Sequence, residues 1–151
     1  MVRVKYRYIL AEIVSDAHKN KLKFPLGEHE LKQKILNCVQ ETHGDYGLAC
    51  IQPGFAIKMY NPATRIFIIR VRRGFHSVLG TTLPLVTSVG KVQLSIRTIH
   101  LSGTIRCAYK RLLEFDRQKL NEIICDHRVA QSTKDELAVM TENCQKRLSE
   151  K

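Results

Sequence analysis

Arg106 and Lys110 stand four residues apart just after a Ser102-Gly103-Thr104 turn, the spacing that puts two side chains on one face of a helix. Arg70 and Arg72 alternate, as do Arg3, Lys5 and Arg7, which is the spacing for one face of a strand. The chemistry open to such residues is the holding of phosphate. Guanidinium and ammonium groups donate charge-assisted hydrogen bonds to anionic oxygens and carry no acceptor of their own. The surrounding sequence favours that use, because no Asp or Glu occurs between Asp45 and Glu114. The same interval holds Lys58, Arg65, Arg70, Arg72, Arg73, Lys91, Arg97, Arg106, Lys110 and Arg111.

Other chemistries find little support. The chain has no nucleophile elbow and no recognisable local triad. Its histidines (His18, His29, His43, His76, His100 and His127) show neither HxxxH nor HExxH spacing, and each reads as structural or solvated. A protein-only metal-dependent nuclease clusters carboxylates around Mg²⁺, which the long acid-free interval disfavours across the core. Glu114 and Asp116 are two apart on a helix and so face different directions. Phosphate-cradling glycine patterns are absent. The aromatic octamer of sheet-surface RNA binders is also missing; Gly54-Phe55-Ala56-Ile57-Lys58-Met59-Tyr60 matches it only loosely, and Phe55, Met59 and Tyr60 read equally well as core.

A chain of 151 residues suits one well-buried domain with a small appendage. Its 25 Lys and Arg against 14 Asp and Glu leave a net charge of +11, which calls for a polyanionic partner. From Asp126 onward acids and bases cancel, so the excess belongs to the preceding part. Five cysteines without a CxxC pair suggest neither a disulfide framework nor a zinc knuckle, and fit a reducing compartment. The start is too charged for a secretory signal, and no apolar run reaches the roughly 18 to 20 residues of a membrane span. These features lead us to expect a soluble, intracellular protein.

The elements that must position the cations follow from hydrophobic periodicity. Residues 2–14 alternate as a first strand with Val4, Tyr6, Tyr8 and Leu10 on one face; its basic end can meet phosphate or be the solvated end of a sheet. Residues 15–26 are polar and predict an unburied loop. Leu31, Ile35, Cys38, Val39 and Thr42 give a helix that Gly44 should stop. Segments 46–51, 54–60 and 64–72 predict a bent strand and then a hairpin, with the last run apolar enough to be a central strand buried on both faces. Phe75, Val78, Leu79, Thr82, Leu83 and Val86 make a second helix that Pro84 should either kink or bound near Leu83. Phe75 and Leu79 are assigned either to the core or to a protein partner. A strand over 91–101 and a helix from Thr104 to about Asp126 follow, and Leu137, Met140, Cys144 and Leu148 mark a last helix. The order implies an α+β, ferredoxin-like/RRM-like βαββαβ sandwich with an antiparallel sheet and two additional C-terminal helices. Residues 1–126 form the RNA-binding domain in this reading, and 127–151 a helical extension packed on it.

Motifs through most of the chain carry a resemblance. The opening Met1-Val2-Arg3-Val4-Lys5-Tyr6-Arg7-Tyr8-Ile9-Leu10, His43-Gly44, Gly54-Phe55-Ala56, Arg70-Val71-Arg72 and, most specifically, His100-Leu101-Ser102-Gly103-Thr104-Ile105-Arg106 with Lys110 and Arg117 resemble the Pop-five family of protein subunits of ribonuclease P and ribonuclease MRP. The resemblance implies a non-catalytic subunit of a ribonucleoprotein endonuclease that removes 5′ leaders from precursor tRNA, shared with the particle that processes precursor ribosomal RNA. It implies that the RNA subunit and its Mg²⁺ supply the chemistry and that the protein alone binds no cofactor. Partners would be ribonuclease P RNA, ribonuclease MRP RNA, precursor tRNA, a TIM-barrel-like protein subunit and the particle's other subunits, in the nucleus and nucleolus. The acidic C-terminal tail of some members is absent here.

Joined to the charge pattern, the resemblance points to Arg3, Lys5, Arg7, Arg70, Arg72, Arg106, Lys110 and Arg117 as the RNA-contacting residues, through phosphate and shape in preference to base stacking. For each one the competing role is ordinary surface charge or intrachain pairing. Two alternatives remain. One is an RNA-binding module outside ribonuclease P. The other is a small acylphosphatase-like hydrolase, which should show a glycine-rich phosphate cradle after the first strand; here that connector begins Ser15-Asp16-Ala17-His18-Lys19-Asn20 and has no glycine before Gly27.

Overall fold

The alternation of the opening residues does produce a strand, β1 (Tyr6–Val14), and everything else is arranged about it. The computed structural model describes residues 4–15, 24–90 and 92–125, the last three by backbone alone. Arg3, Lys91, the expected last helix and the 127–151 extension lie outside the described residues.

After β1 come α1 (Glu28–Ile51), β2 (Ala56–Asn61), β3 (Ile66–Arg72), α2 (His76–Thr82), the two-residue strands β4 (Ser88–Val89) and β5 (Val92–Gln93), β6 (Ser95–Ser102) and α3 (Ile105–Cys125). The main sheet has the order β2-β3-β1-β6 with every neighbouring pair antiparallel, the βαββαβ arrangement expected of a ferredoxin-like fold. The chain divides into two compact units, Met1–Ala108 and Tyr109–Lys151. The first contains the whole sheet with α1 and α2, and the described part of the second is the helical stretch Tyr109–Cys125.

Within the first unit the core lies between one sheet face and the two helices. Ile9, Ala11 and Ile13 from β1, Phe67, Ile69 and Val71 from β3 and Ile96 from β6 meet Leu31, Ile35, Cys38 and Val39 from α1 and Leu79 from α2. Leu79 is fully buried and Phe75 packs against the cluster, so both belong to this core. Ile66 and Ile68 on the opposite face of β3 are buried as well, which is why that strand reads as a continuous apolar run.

Four expectations need correction. Gly44 does not end α1: it adopts φ +65° and ψ −167°, a break after which the chain resumes helix through Ile51. Residues 46–51 are therefore helical and not a bent strand; Gly47 and Ile51 carry the buried face past the break. The loop before α1 is not wholly unburied, since Phe24 and Leu26 enter the core and the Tyr60 hydroxyl donates to the Leu26 carbonyl at 2.9 Å. The fourth long strand begins at Ser95, because Ser88–Val89 and Val92–Gln93 pair with each other as the antiparallel β4–β5 ribbon. Pro84 sits in a 3₁₀ turn, Leu83–Leu85, immediately after α2, so the second helix ends at the expected boundary.

Candidate nucleic-acid interface

Antiparallel pairing decides which cations meet. β1 runs against both β3 and β6, so its beginning lies beside their ends: Tyr6 pairs with Arg72, Tyr8 pairs with Arg70 on one side and with Ser102 on the other. The backbone N–H of Arg73 donates to the Lys5 carbonyl at 2.8 Å and extends this end beyond the sheet. Lys5, Arg7, Arg70, Arg72 and Arg73 thus gather at one end, and Arg106 enters it from the first turn of α3, all within the first unit.

They do not share one face. Arg70 and Arg72 lie with Tyr6 and Tyr8, whereas Arg7 opposite Val71 lies on the side of the α1–α2 core. The result is a rim that straddles the sheet end. Lys5, Arg73 and Arg106 are exposed, and Arg7, Arg70 and Arg72 are half-buried.

Two glycines seat two of the arginines. A Cβ on Gly54 would lie 2.5 Å from Arg72 Cγ and 3.3 Å from Tyr6 Cε1, so this position holds the arginine stem only because it lacks a side chain. A Cβ on Gly103 would lie 3.0 Å from Arg7 Nη1, placing that guanidinium against the turn between β6 and α3. Thr104 caps the helix that follows, its hydroxyl accepting from the Cys107 N–H at 3.3 Å.

The charges elsewhere are partnered differently. Arg97 reaches Glu12 at 2.6 Å, near the opposite end of β1. On α3 Arg111 pairs with Glu114 at 2.7 Å and Lys119 with Glu122 at 3.0 Å. Among the described residues no such ion pair involves Lys5, Arg7, Arg70, Arg72, Arg73 or Arg106. Several like charges held together without carboxylates raise the positive potential over a surface and favour a polyanion.

Lys110 and Arg117 are both exposed on the α3 stretch of the second unit, where burial pushes the Asp116 carboxyl above its usual range. Among the described residues no three His, Cys, Asp or Glu side chains come together as a metal-holding group, and no helix is long and apolar enough to cross a membrane. Cys38 is buried and its thiol pushed up by that burial and by Glu41; Cys50 and Cys107 are free as well.

Sequence reasoning overlooked Arg73 and Tyr6. Arg73 directly follows the alternating Arg70 and Arg72, and Tyr6 alternates with the basic residues of the first strand; both signals were present.

A family model described as the Rpp14/Pop5 family matches residues 7–113. The Bos taurus "Ribonuclease P/MRP protein subunit POP5" is 33% identical over 124 residues, spanning 80% of this chain and 72% of the relative. The Homo sapiens protein of the same name is 32% identical, spanning 80% of this chain and 75% of its own length. "Ribonuclease P protein component 2" of Pyrococcus abyssi is 36% identical over 112 residues, or 74% of this chain and 87% of that protein. In fold, the chain is similar to one in the "Cryo-EM structure of yeast Ribonuclease MRP", with TM-score 0.55 and 12% identity over 80% of this chain and 98% of that one.

Proposed function

This chain belongs to the Rpp14/Pop5 family, and from that premise we propose that it is an RNA-binding protein subunit of ribonuclease P and of ribonuclease MRP. It holds RNA and leaves the cutting to the RNA subunit. The observation that carries the reading is the rim of Lys5, Arg7, Arg70, Arg72, Arg73 and Arg106 at one sheet end, free of ion pairs to the described carboxylates. Each such cation that meets a phosphate releases condensed counterions, and the sum lowers the repulsion between RNA segments that must approach one another.

In this reading Arg3, Lys110 and Arg117 add to the RNA contact. The protein acts without a cofactor of its own, and Mg²⁺ is held by the RNA. A surface without carboxylates suits that division, since it presents donors to phosphate and few competing oxygens to a metal ion. Precursor tRNA, the RNAs of both particles and a TIM-barrel-like protein subunit are the partners, and the nucleus and nucleolus the place of work.

The full-length chain incubated with precursor tRNA and Mg²⁺ should release no 5′ leader, whereas a tagged copy recovered from cells should bring down leader-removing activity that nuclease digestion of its RNA abolishes. Cleavage by the isolated chain, or recovered activity that survives the digestion, would overturn the accessory role.

A further inference from the structure

Phosphate contact leaves one feature of the rim unused. The Arg70 guanidinium lies over the Tyr6 ring, with Cζ 4.5 Å from the ring centroid. Its Nε is sealed from solvent and has no hydrogen-bond partner. An arginine serving only as a phosphate ligand gains from keeping its donors open, and a sealed, unmade donor costs stability. Its place over an aromatic face offsets part of that loss.

The ring is itself held in place. Tyr6 pairs with Arg72 across the strands, and its Cε1 edge lies against Gly54, where a Cβ would come within 3.3 Å. Tyr6 and Arg70 are both half-buried, so the stacked pair keeps surface open at the sheet end. A partly desolvated guanidinium over an aromatic ring suits the flat face of a nucleobase, since unpaired RNA bases stack on both aromatic rings and guanidinium planes.

We propose that the Tyr6–Arg70 stack is a seat for an unpaired RNA base, which adds one more plane to it while the surrounding rim takes the flanking phosphates. This rests on the RNA-binding reading above and sharpens it: the sheet end distinguishes single-stranded RNA from duplex. A lysine at position 70 keeps the charge and loses the plane, which separates stacking from phosphate attraction.

The test compares the full-length chain with its Tyr6→Leu, Tyr6→Trp and Arg70→Lys variants, each confirmed folded by circular dichroism. The probes are a short oligoadenylate and an RNA duplex with the same number of phosphates. Tyr6→Leu and Arg70→Lys should each weaken oligoadenylate binding by about ten-fold, as expected for one base stack, and duplex binding by clearly less, without changing the salt slope. Tyr6→Trp should bind oligoadenylate at least as well as the native chain. Should Tyr6→Leu fail to fold, Arg70→Lys decides alone. Unchanged oligoadenylate affinity, or equal losses on both probes, would remove the base seat and leave the RNA-binding reading standing. A native chain that binds neither probe at low salt would overturn both.

Discussion

At the scale of single residues, the account turns on small side chains that make room for large ones. Gly54 and Gly103 each stand against an arginine, but the contacts differ in kind. The Cβ of an alanine at position 54 would strike Arg72 at Cγ, in the middle of a stem that also packs near Tyr6, whereas one at position 103 would meet only the terminal Nη1 of Arg7. Gly54→Ala should therefore destabilise the chain by about 1–3 kcal/mol, the ordinary cost of overpacking. Gly103→Ala should stay within about 0.5 kcal/mol in the same denaturant titration, because a flexible tip moves aside. Ser102 supplies a third case: it is 3% exposed and its hydroxyl has no partner. Ser102→Ala should leave thermal stability unchanged or raise it, since it removes an unmade hydrogen-bonding group from the interior. The cations of the rim were legible as types and spacings. The two glycine seats were not, because they depend on the register of strands far apart in sequence.

Elements are set by local rules that neighbouring packing then overrides. Gly44 shows both parts: a helix break was legible from its identity, but the helix continues because Gly47 and Ile51 extend the buried face to the far side. At φ +65° and ψ −167° the position is open to glycine almost alone. Gly44→Ala should cost about 1–3 kcal/mol in chemical denaturation, although nothing lies within 4 Å of the added carbon. The short run at 46–51 could not be told from a strand by periodicity, which is ambiguous for apolar segments of that length. The burial of the loop into α1 is hidden for a different reason: Phe24 and Leu26 are isolated among polar residues, and the bonds that tie the segment down, from the Tyr60 hydroxyl to the Leu26 carbonyl and from the Phe24 N–H to the Pro62 carbonyl, reach residues far along the chain.

The setting of Tyr60 also gives β2 a pH dependence. Burial, and after it the charge of Glu30, raise the Tyr60 phenol above its ordinary value of 10.0. The unfolded chain then loses this proton first, so the stability it contributes is intact below about pH 10 and falls as pH climbs through the raised value. Tyr60→Phe should flatten that alkaline loss in urea titrations made on either side of pH 10; an equal loss in both proteins would assign it to other groups.

For the molecule as a whole, the net charge of +11 becomes informative only once the sheet shows where part of it collects. The acid-free interval and the succession of strands and helices along the chain were readable from the sequence, and together they foretold a basic α+β domain. That Arg7 and Arg70 lie on opposite faces yet at one end was not readable, since strand order and register are tertiary facts. If the rim meets phosphate, Arg7→Ala with Arg106→Ala should flatten the slope of log affinity against log salt by about 0.7 to 0.9 per residue. An unchanged slope in a folded double variant would take these two residues out of the contact. The central claim, a protein subunit working on the RNAs of two particles, is tested most directly by crosslinking the tagged full-length chain to RNA in cells and sequencing what it holds. Strong enrichment of the ribonuclease P and ribonuclease MRP RNAs, diminished by the double substitution, is the predicted result; RNA recovered without either of them would contradict the account.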